Sequence, residues 1–227
     1  MSSTSQAPGQ SQIQSTVEKY VEVYMSRYDA SHDYKHIQRV LNLARLILKE
    51  EQSAKPAQNQ AGMRRIQYDD NLVTLGALLH DVGDKKYLQP GQDPTTLVRD
   101  ELLAMGAAAD LADRVQDLVL HVSFSTEKKD PQKILDKIAA IPELAIVQDA
   151  DRLDAIGAVG IARCFAYTGA KGRDDGLDGA IEHFVEKLEL LEGMMKTDTG
   201  RRLARERTER LKVFRGWWES ENEGSFL

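Results

Sequence analysis

Apolar residues return every three or four positions through most of this chain, and that one regularity excludes most folds. Ile13, Val17, Val21, Tyr24 and Tyr28 form one such series; Ile37, Val40, Leu41, Ala44, Ile47 and Leu48 form another. Each series lines one face of an amphipathic helix. No stretch alternates with the period of two that a half-buried strand requires, and no segment repeats. The expectation is an all-α, single-domain helical bundle of roughly eight or nine helices.

The first dozen residues, "MSSTSQAPGQSQ", offer almost nothing to bury, so residues 1–12 are expected to be a disordered tail, with the domain running from 13 to 227. Residues 52–70 are polar and broken by Pro56 and Gly62, which marks a loop or surface insertion. In "DPTTLVRDELLAMG", Asp93 is placed to cap a helix, Pro94 falls in its first turn and Gly106 lies just past its end. Leu111, Val115, Leu118, Val119 and Val122 mark a further helix, followed by a polar break at "STEKKDPQK". One long helix is expected from Glu143 to about Thr168, weakened by Gly157 and Gly160. After the glycine-rich "GAKGRDDGLDG", two last helices are expected, from about Leu177 to Met195 and from about Thr199 to Glu221.

With 41% hydrophobic residues among 227, the chain can bury a real core. Its net charge of −6 gives no general attraction to nucleic acid or to an anionic membrane, although a small anionic ligand held by local basic residues is compatible with it. The basic run "RRLARERTERLKVFR" is interrupted by Glu206 and Glu209 and reads as a solvated helix face. Cys164 is the one cysteine, so no intramolecular disulfide forms; it reads as a buried packing residue, and the reducing cytoplasm or nucleus is the expected compartment. Residues 1–12 lack the charged start and apolar stretch of a secretory signal, so none is expected, and the sequence has no apolar run long enough to span a bilayer. Of Trp217 and Trp218, one is expected to anchor the core.

The segment "LGALLHDVGDKKY" breaks the pattern of a simple core helix. Its apolar run ends in His80, Asp81, Asp84, Lys85 and Lys86. Burying a His-Asp pair without partners is costly, so something should satisfy it. The imidazole and the carboxylate can converge on one divalent ion just beyond the helix end, and further ligands are offered by His36, near the start of the second helix, and by Asp151 in "QDADRLDA".

A His, then a His-Asp pair, then a distant Asp is a pattern that resembles the HD-domain superfamily of metal-dependent phosphohydrolases. The resemblance is nearest to the small standalone HD hydrolases and runs from about Ser31 to Glu221. "HDYKHIQRV", "HDVGDKK", "LVLHVSF", "QDADRLDAIGAVGIAR" and "EHFVEKLELLEGMMKTDTG" all carry it. It implies an HD-type bundle in which His36, His80, Asp81 and Asp151 hold one divalent metal. Mn2+ is the first choice, with Mg2+, Co2+, Ni2+, Zn2+ or Fe2+ as alternatives. It implies hydrolysis of nucleotides, with nucleoside triphosphate pyrophosphohydrolysis or 5′-nucleotidase activity as the specific forms. The expected partner is a nucleotide or other phosphate ester, and a homodimer is left open.

In related nucleotidases an acidic residue at the offset of Asp84 is the proposed general acid or base; many of them have Glu there. Asp84 would lie one helical turn beyond Asp81, and Lys85 and Lys86 would neutralise phosphate charge. The resemblance also brings forward His121, Arg163, His183 and Lys187 as substrate contacts. Two-metal members carry two histidines between the pair and the final Asp, and this chain has only His121 there, which implies one metal. His32 reads as capping or supporting His36, four residues on. Asp154 is expected to support the site or a neighbouring helix. The reading from another class is a regulatory module that binds metal and nucleotide without turnover.

Overall fold

The structure is a computed structural model, and it describes residues 9–28, 32–54, 66–84, 88–171 and 176–222. Among these there is no strand, and the chain forms eleven α-helices, more than the eight or nine expected. They are α1 Gln10–Met25, α2 Tyr34–Ser53, α3 Asp70–Leu79, α4 Leu97–Ala104, α5 Ala109–Val119, α6 Phe124–Lys129, α7 Pro131–Ala140, α8 Glu143–Asp154, α9 Gly157–Lys171, α10 Asp178–His183 and α11 Asp198–Asn222. Helix α1 begins three residues before Ile13; the rest of the expected tail, most of the 52–70 insertion, and Lys85 and Lys86 lie outside the described residues.

The core is built around α8. Leu144, Ile146, Val147, Ala150 and Leu153 are fully buried, and every residue of this helix is buried except Asp151. A helix apolar on one stripe needs one neighbour, whereas one buried all round must be enclosed. α2, α3, α7, α9 and α11 all pack on it. α2 presents the periodic face Ile37, Val40, Leu41, Ala44, Ile47 and Leu48, all buried. α3 is capped by Asp69, whose carboxylate accepts from the amides of Asn71 and Leu72, and it is buried from Leu72 to Leu79 except at Thr74. Gly76 lets it approach α5 closely, because a Cβ there would press on Leu118.

Four helix expectations need correction. The long helix from Glu143 breaks after Asp154: Gly157 adopts φ +74°, a left-handed conformation that glycine alone tolerates easily, and Arg207 packs against it while donating to the Leu153 carbonyl. The polar break "STEKKDPQK" contains α6 and the start of α7. Both are started by side-chain caps, Ser123 accepting from the Thr126 amide and Asp130 from the Lys133 amide, with Pro131 in the first turn of α7. Asp93 caps the turn before α4 rather than the helix itself, which starts at Leu97, although Gly106 does end it at φ +87°. The helix expected from Leu177 to Met195 is α10 followed by one π turn, Phe184–Leu188, and a 3-10 stretch, Glu189–Met194.

Neither tryptophan is a core residue. Trp218 packs near Phe165 and Phe214 while Trp217 is exposed, and Cys164 is buried with its thiol toward the Ala180 carbonyl. No described helix is long and apolar enough to cross a membrane.

A candidate metal centre at the ends of three helices

Three helix ends deliver the site. On α2, the N-cap Asp33 accepts from the amide of His36 at 3.0 Å, which fixes the first turn and places His36 in the interior, 1% exposed. At the other end of α3, His80 and Asp81 sit in the turn just past Leu79, where the helix has released its last carbonyls. His80 uses one of them: its Nδ1 donates to the Ala77 carbonyl at 2.8 Å. The turn closes through Gly83 at φ +86°, whose amide donates to the Tyr24 hydroxyl of α1. From α8 comes Asp151, the single residue of that helix that is not buried.

The ring nitrogens and carboxylate oxygens of His36, His80 and Asp151 lie within 4.8 Å of one another. The two Nε2 atoms are 3.2 Å apart, and each is 3.7 Å from Asp151 Oδ1. Asp81 Oδ2 is 3.3 Å from His36 Nε2 and 3.5 Å from His80 Nε2; it is buried and has no hydrogen-bond partner. Both Nδ1 atoms are already donors, His80 to a carbonyl and His36 to Asp154 Oδ2 at 2.8 Å. In the neutral rings, therefore, both Nε2 lone pairs face each other and two carboxylates, four acceptors with no donor among them. Such a set is repulsive unless a cation lies between its members. Separations of about 3 Å are those of donors around one ion at bond lengths of about 2.1 Å. Two imidazoles and two carboxylates thus fit a divalent ion with positions left for other ligands.

The electrostatics agree. Burial opposes the charged form of His36, but the hydrogen bond to Asp154 and the nearby Asp81 carboxylate outweigh it and hold the ring above its ordinary pKa. Burial would raise Asp81, yet the charges of His80 and His36 hold its carboxyl well below the usual carboxylate range. The same balance applies to Asp154: burial raises it, and hydrogen bonds from His36 and Arg39 bring it well below that range.

The other expected residues are placed as follows. Asp84 is half-buried, but it follows the left-handed Gly83 and so is not on the α3 helix; its amide donates to the Asp81 carbonyl at 3.3 Å. Arg163 donates to Asp154 Oδ2 at 3.0 Å. His121 is not part of the cluster: its Nδ1 donates to the Asp117 carbonyl at 2.7 Å, and its own carbonyl accepts from Gln148. His183 ends α10, and Lys187 lies on the π turn with its ammonium 5.0 Å above the Phe124 ring. The His32 ring stands 5.9 Å from that of His36 and 6.2 Å from that of Tyr167, beside the cluster and not in it. Sequence reasoning missed Arg39 and Tyr167. Arg39 had a signal, since it sits three residues after His36 on the same helical face.

The comparisons with known proteins agree with this geometry. A family model described as the HD domain matches residues 33–156. A Bacillus subtilis protein, YpgQ, is 40% identical over 176 residues, covering 76% of this chain and 75% of that protein. Its crystal structure in complex with ADP superposes with a TM-score of 0.69 at 34% identity, over 92% of this chain and 97% of that one. A Bacillus thuringiensis HD-superfamily hydrolase superposes with a TM-score of 0.66 at 26% identity, over 95% and 99% of the two chains. With the His, His-Asp and Asp elements brought together at three helix ends and a family model matched across them, the chain belongs to the HD domain family.

Proposed function

We propose that this protein is a metal-dependent phosphohydrolase acting on nucleotides, as a nucleoside triphosphate pyrophosphohydrolase or a 5′-nucleotidase. The observation that carries the reading is the set of four converging acceptors, two imidazole lone pairs and two carboxylates, around a point with no donor of its own. The ADP bound to YpgQ and the hydrolase among the structural relatives support the substrate class and the reaction type.

A divalent ion held by His36, His80, Asp81 and Asp151, Mn2+ in the first instance, supplies Lewis acidity toward a phosphoryl oxygen and acidifies water. His36 and His80 enter as neutral rings through Nε2, their Nδ1 protons being engaged. Asp84 takes the proton of the attacking water or returns it to the leaving oxygen. Lys85, Lys86 and Lys187, with His121 and His183, are assigned to the phosphates. Attack at the α-phosphorus of a triphosphate releases pyrophosphate; attack on a monophosphate releases inorganic phosphate.

The test is product analysis by ion-exchange chromatography after manganese-reloaded protein is incubated with nucleoside mono- and triphosphates, with Asp81→Asn as the blank. Pyrophosphate plus a monophosphate establishes the first form, and inorganic phosphate alone establishes the second. Absence of turnover with metal bound overturns the enzymatic reading in favour of a binding module. Replacing Asp84 by Ala is expected to leave metal content intact and to lower turnover by about 10²–10⁴-fold; lost metal with residual turnover unchanged would remove the role given to it.

A further inference from the structure

Behind the cluster, Asp154 collects more donors than any other carboxylate near the site. It is the last residue of α8 and is 1% exposed. Its Oδ2 accepts from His36 Nδ1 at 2.8 Å, from Arg39 Nη2 at 3.0 Å and from Arg163 Nη1 at 3.0 Å, while its Oδ1 accepts from Arg39 Nε at 2.7 Å. A carboxylate at a helix C-terminus faces the negative end of the helix dipole. Two guanidiniums on one carboxylate offset that cost, and the Arg39 pair is bidentate, the geometry that fixes direction as well as charge.

The arrangement has a register. His36 and Arg39 are three residues apart on α2; Asp151 and Asp154 are three residues apart on α8. Each pair therefore shares a helical face, and the two helices meet through two rungs. One rung is His36 opposite Asp151, 3.7 Å apart, and the other is Arg39 on Asp154. The bond from His36 to Asp154 ties the rungs together. Arg163 adds α9, which the helix break at Gly157 starts on a new course.

We propose that Asp154 and Arg39, with Arg163, are positioning residues that set the register of α2 against α8 and hold His36 in the Nδ1–H tautomer, so that its Nε2 lone pair faces Asp81 and Asp151. This rests on the metal-dependent reading given above. It also gives Arg163 a role that differs from phosphate contact. The carboxylate acts through His36 and does not touch substrate. Carboxylates that orient metal-binding imidazoles in this way change metal affinity by about 10–100-fold when removed.

The test uses Arg39→Gln, Arg39→Lys and Asp154→Asn in the full chain. The Arg39 side chain is 33% exposed, so its replacement leaves a folded protein even where Asp154→Asn does not. The first readout is the 15N spectrum of His36 in metal-free protein above the titration of the ring. Wild type is expected to show one tautomer protonated at Nδ1, Arg39→Gln a mixture, and Arg39→Lys a partial return. The second is Mn2+ titration followed by electron paramagnetic resonance: affinity falls about 10–100-fold in Arg39→Gln, turnover returns as manganese is raised, and the substrate KM measured at saturating metal does not move. Unchanged tautomer and metal affinity with a raised KM would overturn the proposal and make Arg39 a substrate contact. A wild type that binds no manganese, with a tautomer that still responds to Arg39→Gln, would sink the metal-dependent reading while leaving the positioning role in place.

Discussion

Helix α8 carries two sets of charges, and they are built on opposite principles. Asp151 and Asp154 face the cluster with His36, His80 and Asp81. Asp149 and Arg152 lie on the other side of the helix, their mean direction about 160° from that of the first pair, in a knot with Glu127 of α6 and Lys196 before α11. In the knot, Arg152 Nη2 donates to Glu127 Oε2 at 2.6 Å, Lys196 Nζ donates to Glu127 Oε1 at 2.8 Å, and both cations also reach the Met194 carbonyl. The Asp149 carboxylate accepts from the Lys196 and Thr197 amides and from the Thr197 hydroxyl. Two carboxylates meet two cations and nearly every polar atom is matched, with Arg152 Nε left over. In the cluster, acceptors meet acceptors. Charge that answers itself locks elements together, and charge left unanswered waits for a ligand; the same helix does both, two residues apart.

That contrast can be broken most severely on the cluster side. Asp81→Asn is expected to abolish stoichiometric manganese binding and to lower phosphohydrolysis about 10³-fold, the several kcal/mol of transition-state charge stabilisation an ion contributes, with metal-free thermal unfolding at or above that of wild type. Elemental analysis and calorimetry of the same sample decide it, and a large drop in stability would mean that the orphaned carboxylate holds the fold together. On the knot side, Arg152→Met leaves Glu127 and Lys196 behind a lost partner and is expected to cost about 3–5 kcal/mol of stability, read by urea unfolding, while one manganese still binds. Loss of metal with full stability would show that the two sets are not separate.

A smaller effect is expected at Gly200, on α11. A Cβ there would collide with the Asp149 carboxylate, so Gly200→Ala should cost about 1–3 kcal/mol in unfolding free energy, with the manganese affinity unmoved.

The gentlest probe is pH. The His36 pKa is raised in the metal-free fold, burial being outweighed by Asp154 and Asp81. Its contribution to metal-free stability is therefore present below the unfolded value of about 6.5 and fades as pH rises through the folded one. Metal requires the neutral ring, so manganese affinity runs the other way, falling about tenfold per pH unit below the folded value. Calorimetry in buffers of different ionisation heat should find protons released on binding once the pH is brought below the folded value. Binding without proton release at any pH below about 6.5 would mean that the His36 pKa is not raised in the fold.

The cluster was legible in sequence because its residues contradict their surroundings: His80 and Asp81 end an apolar run, and the His36 and Asp151 contexts repeat a family pattern. The knot was not legible. Glu127 and Lys196 are ordinary charged residues in polar segments, and only the tertiary fold brings them to Arg152. The helix breaks failed for a related reason. Apolar periodicity runs on through Ala155 and Ala158, but Gly157 takes a left-handed conformation to admit Arg207, a demand made by α11 from far along the chain. Short capped helices such as α6 were hidden because three of their side chains are capping or charged groups rather than core. Arg39 was overlooked since an arginine on an amphipathic helix ordinarily faces water.

Enclosure of α8 has a consequence for motion. Amides exchange with solvent only when the surrounding structure opens, and a helix covered on every side by α2, α3, α7, α9 and α11 opens only with the molecule as a whole. The Asp151 carboxylate, which must reach the outside to meet a ligand, is thus mounted on what should be the slowest-exchanging segment of the chain. Its neighbours His80 and Asp81 stand on a turn closed by a glycine. Deuterium uptake should accordingly divide the cluster, slow at Asp151 on α8 and faster at His80 and Asp81 on the turn.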